Sequence, residues 1–107
     1  MGASKTAGFN QEINDISSVF KALGHPARIA IVQFLRTQES CICGDIVNEI
    51  PLAQATISQH LKELKNAGIV QGSISGTAVC YCLNLSKIEV IESFLKALKY
   101  DQSKKCC

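Results

Sequence analysis

Apolar residues recur every three to four positions along most of this chain and break once into period two, which predicts a mainly α fold with a small β-hairpin. The order of the segments carries more. A short helical stretch, a tight turn at Pro51-Leu-Ala53 and a longer helix with a polar outer face come before the period-two stretch, and one helix follows it. A short helix, a tight turn and a polar-faced helix read as a helix-turn-helix, and a hairpin directly behind it reads as a wing. The predicted architecture is a winged helix-turn-helix, in the order four helices, two strands and a last helix.

At 107 residues the chain is one domain, and its 47% hydrophobic content is enough for a core. Residues 1–9 are small and polar and read as a flexible arm. The domain proper spans 10–100, and 101–107 is a polar tail ending in Cys106 and Cys107. From Asn10, the recurrence of Ile13, Ile16, Phe20 and Leu23 predicts a first helix that stops at Gly24. Pro26 suits the first turn of a second helix, which runs to about Thr37. Its Ile29-Ala-Ile-Val32 run, with Phe34 and Leu35, is apolar on most sides and predicts a buried, central position. Cys41-Ile-Cys-Gly-Asp45 leads into a third helix over roughly 43–50, which Pro51 ends.

The helix beginning near Ala53 and ending at Gly68 is the one the chain is organised around. Ile57, Leu61 and Leu64 form its apolar stripe. The rest of its surface is Gln54, Thr56, Ser58, Gln59, His60, Lys62 and Lys65, with Glu63 the one acid. Amides and hydroxyls can read base edges, and lysines can meet phosphates, so this is the expected DNA recognition helix. A strand starts at Ile69-Val70, a hairpin turn is centred on Ser75-Gly76, and Ala78–Leu83 returns. Val79, Tyr81 and Leu83 share one face of that strand, and Ala78, Cys80 and Cys82 share the other. The wing tip offers Ser75 and Thr77 but no cation, which predicts wing contacts through hydroxyls and backbone.

The last helix, about 86–100, has Ser86 as a plausible cap with Glu89 three residues on. It carries two apolar stripes, Ile88/Ile91/Leu95/Leu98 and Val90/Phe94/Ala97. A terminal helix needs one buried stripe. The second predicts either a partner, most simply another copy of the chain, or burial on both sides within one copy. The net charge is only +2, so nucleic-acid binding must come from a local patch or from two copies side by side. There is no apolar run of membrane-spanning length and no signal-peptide core, and the expected compartment is the cytoplasm.

Six cysteines fall in three close pairs, Cys41/Cys43, Cys80/Cys82 and Cys106/Cys107. Without an export signal, reduced thiols are expected, and these serve as soft-metal ligands or redox sensors. None of the pairs is spaced as Cys-x-x-Cys, which argues against a structural zinc ribbon.

Taken together, Phe20-Lys-Ala-Leu-Gly-His-Pro-Ala-Arg28, Gln54-Ala-Thr-Ile-Ser-Gln-His-Leu61, Leu64-Lys-Asn-Ala-Gly-Ile-Val70 and the wing ending in Tyr81 resemble the ArsR/SmtB family of winged-helix repressors. The resemblance covers about Asn10 to Leu98. It implies a cytoplasmic homodimer joined through the first and last helices, which binds operator DNA and releases it when an inducer is bound. The family's arsenic, cadmium and lead sensors often carry Cys-Val-Cys-Asp-Leu before the recognition helix. Here the stretch is Cys41-Ile-Cys-Gly-Asp-Ile46, with Gly44 inserted and no third cysteine at position 46. The family's other site, on the terminal helix, needs aspartate and histidines. This helix offers only Glu89 and Glu92, so no zinc or nickel site is expected there.

At the entry to a helix, Cys41 and Cys43 would gain thiolate character from the helix dipole. Arsenite, antimonite or cadmium are the logical ligands as inducers, with Cys106 or Cys107 supplying a further sulfur, and no cofactor is expected for folding. Cys80 and Cys82 read either as a second ligand pair or as packing residues in a half-buried strand. His25 reads as a loop or capping residue. The leading expectation is a metalloid-released repressor. The alternative keeps the fold and senses oxidation or persulfide at cysteine. A protein-binding winged helix without DNA activity is a further reading. A thiol enzyme is disfavoured, because neither histidine stands in a recognisable motif with a cysteine.

Overall fold

The computed structural model describes residues 8–38, 42–43, 50–75 and 78–101. Helix α1 spans Gln11–Leu23, α2 Pro26–Arg36, strand β1 Ile42–Cys43, α3 Gln54–Asn66, β2 Val70–Ser75, β3 Ala78–Leu83 and α4 Leu85–Asp101. Local chemistry sets the helix boundaries. The Asn10 side chain accepts a hydrogen bond from the Ile13 N–H at 2.8 Å, capping α1. His25 caps α2 through Nδ1, which accepts from the Ala27 N–H at 3.0 Å, and Pro26 fills the first turn where no donor is needed.

Helix α3 ends in a Schellman arrangement. The Gly68 N–H donates to the Lys65 carbonyl and the Ile69 N–H to the Leu64 carbonyl, both at 3.0 Å. Gly68 takes φ +83°, the left-handed region that a side chain disfavours. Asn84 then ties the far end of the wing to this reversal. Its side-chain amide donates to the Gly68 carbonyl at 2.9 Å and its backbone N–H to the Ile69 carbonyl at 2.9 Å. The Asn84 carbonyl also accepts from Lys87 and Ile88, so Asn84 starts α4. Ser86, the expected cap, lies inside the helix instead.

The sheet has three strands in the order β1-β3-β2, all antiparallel, where a two-stranded hairpin was expected. Cys43 was expected to begin a helix, but it lies in β1, and the alternating triplet Cys41-Ile-Cys43 suits a strand as well as a helix start. Residues 44–49, the rest of the expected third helix, lie outside the described residues. Ser75 pairs with Ala78, which moves the hairpin connection one residue on, to 76–77, outside the described residues.

The core gathers Val19 and Ala22 of α1, Ile31 and Leu35 of α2, Ile57, Leu61 and Leu64 of α3, and Ile69, Val70 and Ile91 around them. Ile31, Leu64 and Ile69 are fully buried. Two expectations about apolar faces are only partly met. Ile29 of α2 is 41% exposed, and α1 buries Val19 and Ala22 while Ile13 and Phe20 stay exposed.

Candidate nucleic-acid interface

On α3, Ile57, His60, Leu61 and Leu64 are buried, and Gln54, Thr56, Ser58, Gln59, Lys62, Lys65 and Asn66 are exposed. Six of the seven helix residues expected to meet DNA therefore share one accessible surface. That face is arranged by the stripe beneath it: Ile57 and Leu64 lock the helix against α2, and the opposite arc must face outward. Gln59 Nε2 donates to Glu63 Oε2 at 3.2 Å, a contact one turn long on the helix surface. Lys65 reaches over the wing, its Nζ 3.3 Å from where a Cβ on Gly72 would stand. Asn66 was not anticipated, although it lies four residues after Lys62 and seven after Gln59 on the same arc.

His60 departs from expectation. It is 8% exposed, three residues after Ile57 and four before Leu64, which places it on the buried stripe despite its polarity. Arg28 Nε donates to His60 Nδ1 at 3.0 Å, and Arg28 Nη1 donates to the Ala22 carbonyl at 3.2 Å. One guanidinium thus joins α1, α2 and α3. The His25 ring lies 4.4 Å from the His60 ring. Burial first, then His25 and Arg28, hold the His60 pKa below its ordinary value, against an upward pull from Glu63. His60 therefore positions the recognition helix from inside. Ser75 ends β2, and Thr77 lies outside the described residues.

β1 pairs with β3 so that Cys43 stands opposite Cys80 and Ile42 opposite Tyr81. Cys80 and Cys82, expected as free thiols, are both held in disulfide bonds. Cys41, Cys106 and Cys107 lie outside the described residues. Among the residues whose side chains are described, no group of three or more His, Cys, Asp or Glu is placed to hold a metal ion.

A second surface stands apart from the α3 face. Ile13, Ile16, Val90, Phe94 and Ala97 line a groove of about 830 Å³ between α1 and α4. The Phe20 and Phe94 rings meet at 5.8 Å beside it. Leu95, Leu98 and Tyr100 continue an apolar surface along α4, at 46%, 50% and 81% exposure. Among the described residues, no helix is long and apolar enough to cross a membrane.

Residues 25–71, which hold α2, β1, α3 and the start of β2, match the family model described as "Bacterial regulatory protein, arsR family". Over 86 residues the chain is 38% identical to a cadmium resistance transcriptional regulatory protein of Listeria innocua, covering 79% of this chain and 70% of that one. This chain belongs to the ArsR family. It is also 43% identical over 74 residues to a transcriptional repressor of Mycobacterium tuberculosis, covering 68% of this chain and 54% of that one. The matched region is thus only about half the length of that relative. An arsenical resistance operon repressor of Staphylococcus xylosus is 30% identical over 81 residues, covering 76% of this chain and 77% of that protein. The homodimeric winged helix-turn-helix DNA-binding domain of a Mycobacterium bovis protein superposes with a TM-score of 0.66 at 19% identity, covering 94% of this chain and 95% of that one. These relatives are transcriptional regulators, not enzymes.

Proposed function

We propose that this chain is a homodimeric transcriptional repressor, held on operator DNA by α3 and the wing and released when thiolates bind a thiophilic ion. The observation that carries the reading is the exposed face of α3. Gln54, Thr56, Ser58 and Gln59 offer donors and acceptors for base edges, and Lys62 and Lys65 offer charge for phosphates. With a net charge of +2 per chain, two copies are needed to build a useful positive surface. The uncovered groove between α1 and α4 is the surface on which a second copy would pack. The reading places the protein in the cytoplasm.

The proposed inducer is arsenite or antimonite, with cadmium next, taken by thiolates drawn from Cys41, Cys43, Cys106 and Cys107. The names of the Staphylococcus xylosus and Listeria innocua relatives point to these ions. An affinity loss of ~10²–10³ on induction corresponds to roughly 3–4 kcal/mol of coupling between the two sites. One observation favours a second reading, release by cysteine oxidation: Cys80 and Cys82 stand in disulfides.

The test is fluorescence anisotropy with DNA from upstream of the protein's own operon, with and without arsenite. Lys62→Ala and Gln59→Ala should each weaken binding while leaving thermal stability unchanged. Binding as tight as wild type in both variants would remove α3 as the reading element. Release by mild oxidation but not by arsenite would select the second reading.

A further inference from the structure

Two histidines set a condition on the recognition helix that its outer face does not show. The His25 and His60 rings stand 4.4 Å apart, one at the start of α2 and one on the buried side of α3. Each ring uses Nδ1 as an acceptor. His25 Nδ1 accepts from the Ala27 N–H and His60 Nδ1 from the Arg28 Nε–H, both at 3.0 Å. A backbone N–H and a guanidinium can only donate, so neither bond survives a proton on that nitrogen. Both bonds therefore require a neutral ring. Among the described residues, the charged groups facing the pair are Arg28 of α2, Glu63 of α3 and, along the same crevice, Lys21 of α1. A proton on His60 adds positive charge beside Arg28 and His25, with Glu63 as the described carboxylate that can offset it. That carboxylate is already engaged, because Glu63 Oε2 accepts from Gln59 Nε2 at 3.2 Å on the outer surface of α3.

We propose that the His25–His60–Arg28 cluster is an acid-sensitive gate on DNA reading, which releases the operator when His60 takes a proton. The inference rests on α3 as the reading helix and adds a second input that needs no cysteine. The proton arrives at His60 Nδ1, and the Arg28 Nε–H loses its acceptor. Two donors then face each other. Arg28 keeps its bond to the Ala22 carbonyl of α1, but α3 is no longer tied to it. Glu63 is drawn to the new imidazolium and away from Gln59, so a residue of the reading surface loses its fixed orientation. The direction with pH follows from linkage. Burial, then His25 and Arg28, hold the His60 pKa below its ordinary 6.5, so the ring is neutral in the fold at neutral pH. Operator affinity is complete above about pH 6.5 and falls as pH drops through the folded value. The fall reaches about tenfold per pH unit for each His60 that must give up its proton to bind.

The test is fluorescence anisotropy of the reduced full-length protein on duplex DNA from upstream of its own operon, at pH 7.5, 6.0 and 5.0 and constant ionic strength. Wild type should bind at pH 7.5 and lose about tenfold or more in affinity by pH 5.0. His60→Gln, whose Oε1 can accept from Arg28 and does not titrate, should lose less than about threefold over the same range. The helical circular dichroism of both should hold at pH 5.0. Wild type alone gives a second reading by histidine ¹⁵N NMR: adding the duplex should lower the His60 midpoint, because DNA selects the neutral ring. Three results would each overturn the gate and leave α3 as the reading helix: equal acid losses in wild type and His60→Gln, an acid loss that tracks loss of helical signal, or a His60 midpoint unmoved by DNA. Failure of wild type to bind at pH 7.5 would overturn the α3 reading and the gate with it.

Discussion

Arg28→Met tests the internal tie of the recognition helix. Methionine keeps much of the apolar stem and removes both donors, the Nε–H at 3.0 Å from His60 Nδ1 and the Nη1–H at 3.2 Å from the Ala22 carbonyl. Hydrogen bonds from a charged group contribute about 1.5–3 kcal/mol each, and Arg28 is half-buried, so a combined loss of about 2 kcal/mol is expected. For a domain of this size that is a fall in Tm on the order of 10 °C. The same change has a titration signature. The His60 pKa is held below its ordinary 6.5 by burial, His25 and Arg28, so in the fold it binds fewer protons than in the unfolded chain. Its contribution to stability is complete above about pH 6.5 and is lost as pH falls below that towards the folded value. Removing Arg28 removes one of the three causes. The His60 midpoint should rise but stay below 6.5, because burial, the largest cause, remains. Histidine ¹⁵N titration by NMR reads the midpoint, and it also tests whether Nε2 carries the proton when Nδ1 accepts. Thermal melts at pH 7.5 and 5.5 read the stability. A melt within 2 °C of wild type, or an unmoved His60 midpoint, would refute the Arg28–His60 bond.

Gly68→Ala should cost about 1–2 kcal/mol, because φ +83° is disfavoured for a side chain. The steric part is small: the new Cβ would meet the flexible end of Lys87 at 2.8 Å. An unchanged urea midpoint would contradict this. Leu64→Ala removes a fully buried side chain from the base of α3 and should cost about 2–5 kcal/mol, read as a lower guanidinium midpoint with unchanged m. Val90→Glu, at a position 48% exposed in the single chain, should leave the helical circular dichroism intact and shift sedimentation from dimer to monomer. A dimer that persists would move the interface away from the α1–α4 groove.

Much of the fold was legible because its signals are local. Asn10, Pro26 and Gly68 mark helix ends through caps, a fixed φ and a left-handed turn, and each acts within a few residues of itself. The stripe Ile57/Leu61/Leu64 needs only helical spacing to be found, and all three are buried. His60 was misplaced because polarity was weighed over spacing. His60 lies at the edge of the Ile57/Leu61/Leu64 stripe, three residues after Ile57 and four before Leu64, and a residue there faces inward when a partner such as Arg28 satisfies it. The start of α4 shifted from Ser86 to Asn84 because the Asn84 carbonyl accepts the first helical bonds, while its side chain is drawn back to Gly68.

By itself the sequence determined the mainly α order, the wing behind a polar-faced helix and the surplus of apolar faces on the last helix. All of these follow from periodicity, and periodicity is a property of neighbours in the chain. Only the tertiary structure decided that Arg28 of α2 would hold His60 of α3, and that a third strand would set Cys43 against Cys80. Contacts between residues more than thirty positions apart depend on how the elements pack and in what register. A two-residue strand such as β1 acquires its identity from the β3 edge that it pairs with, not from its own sequence.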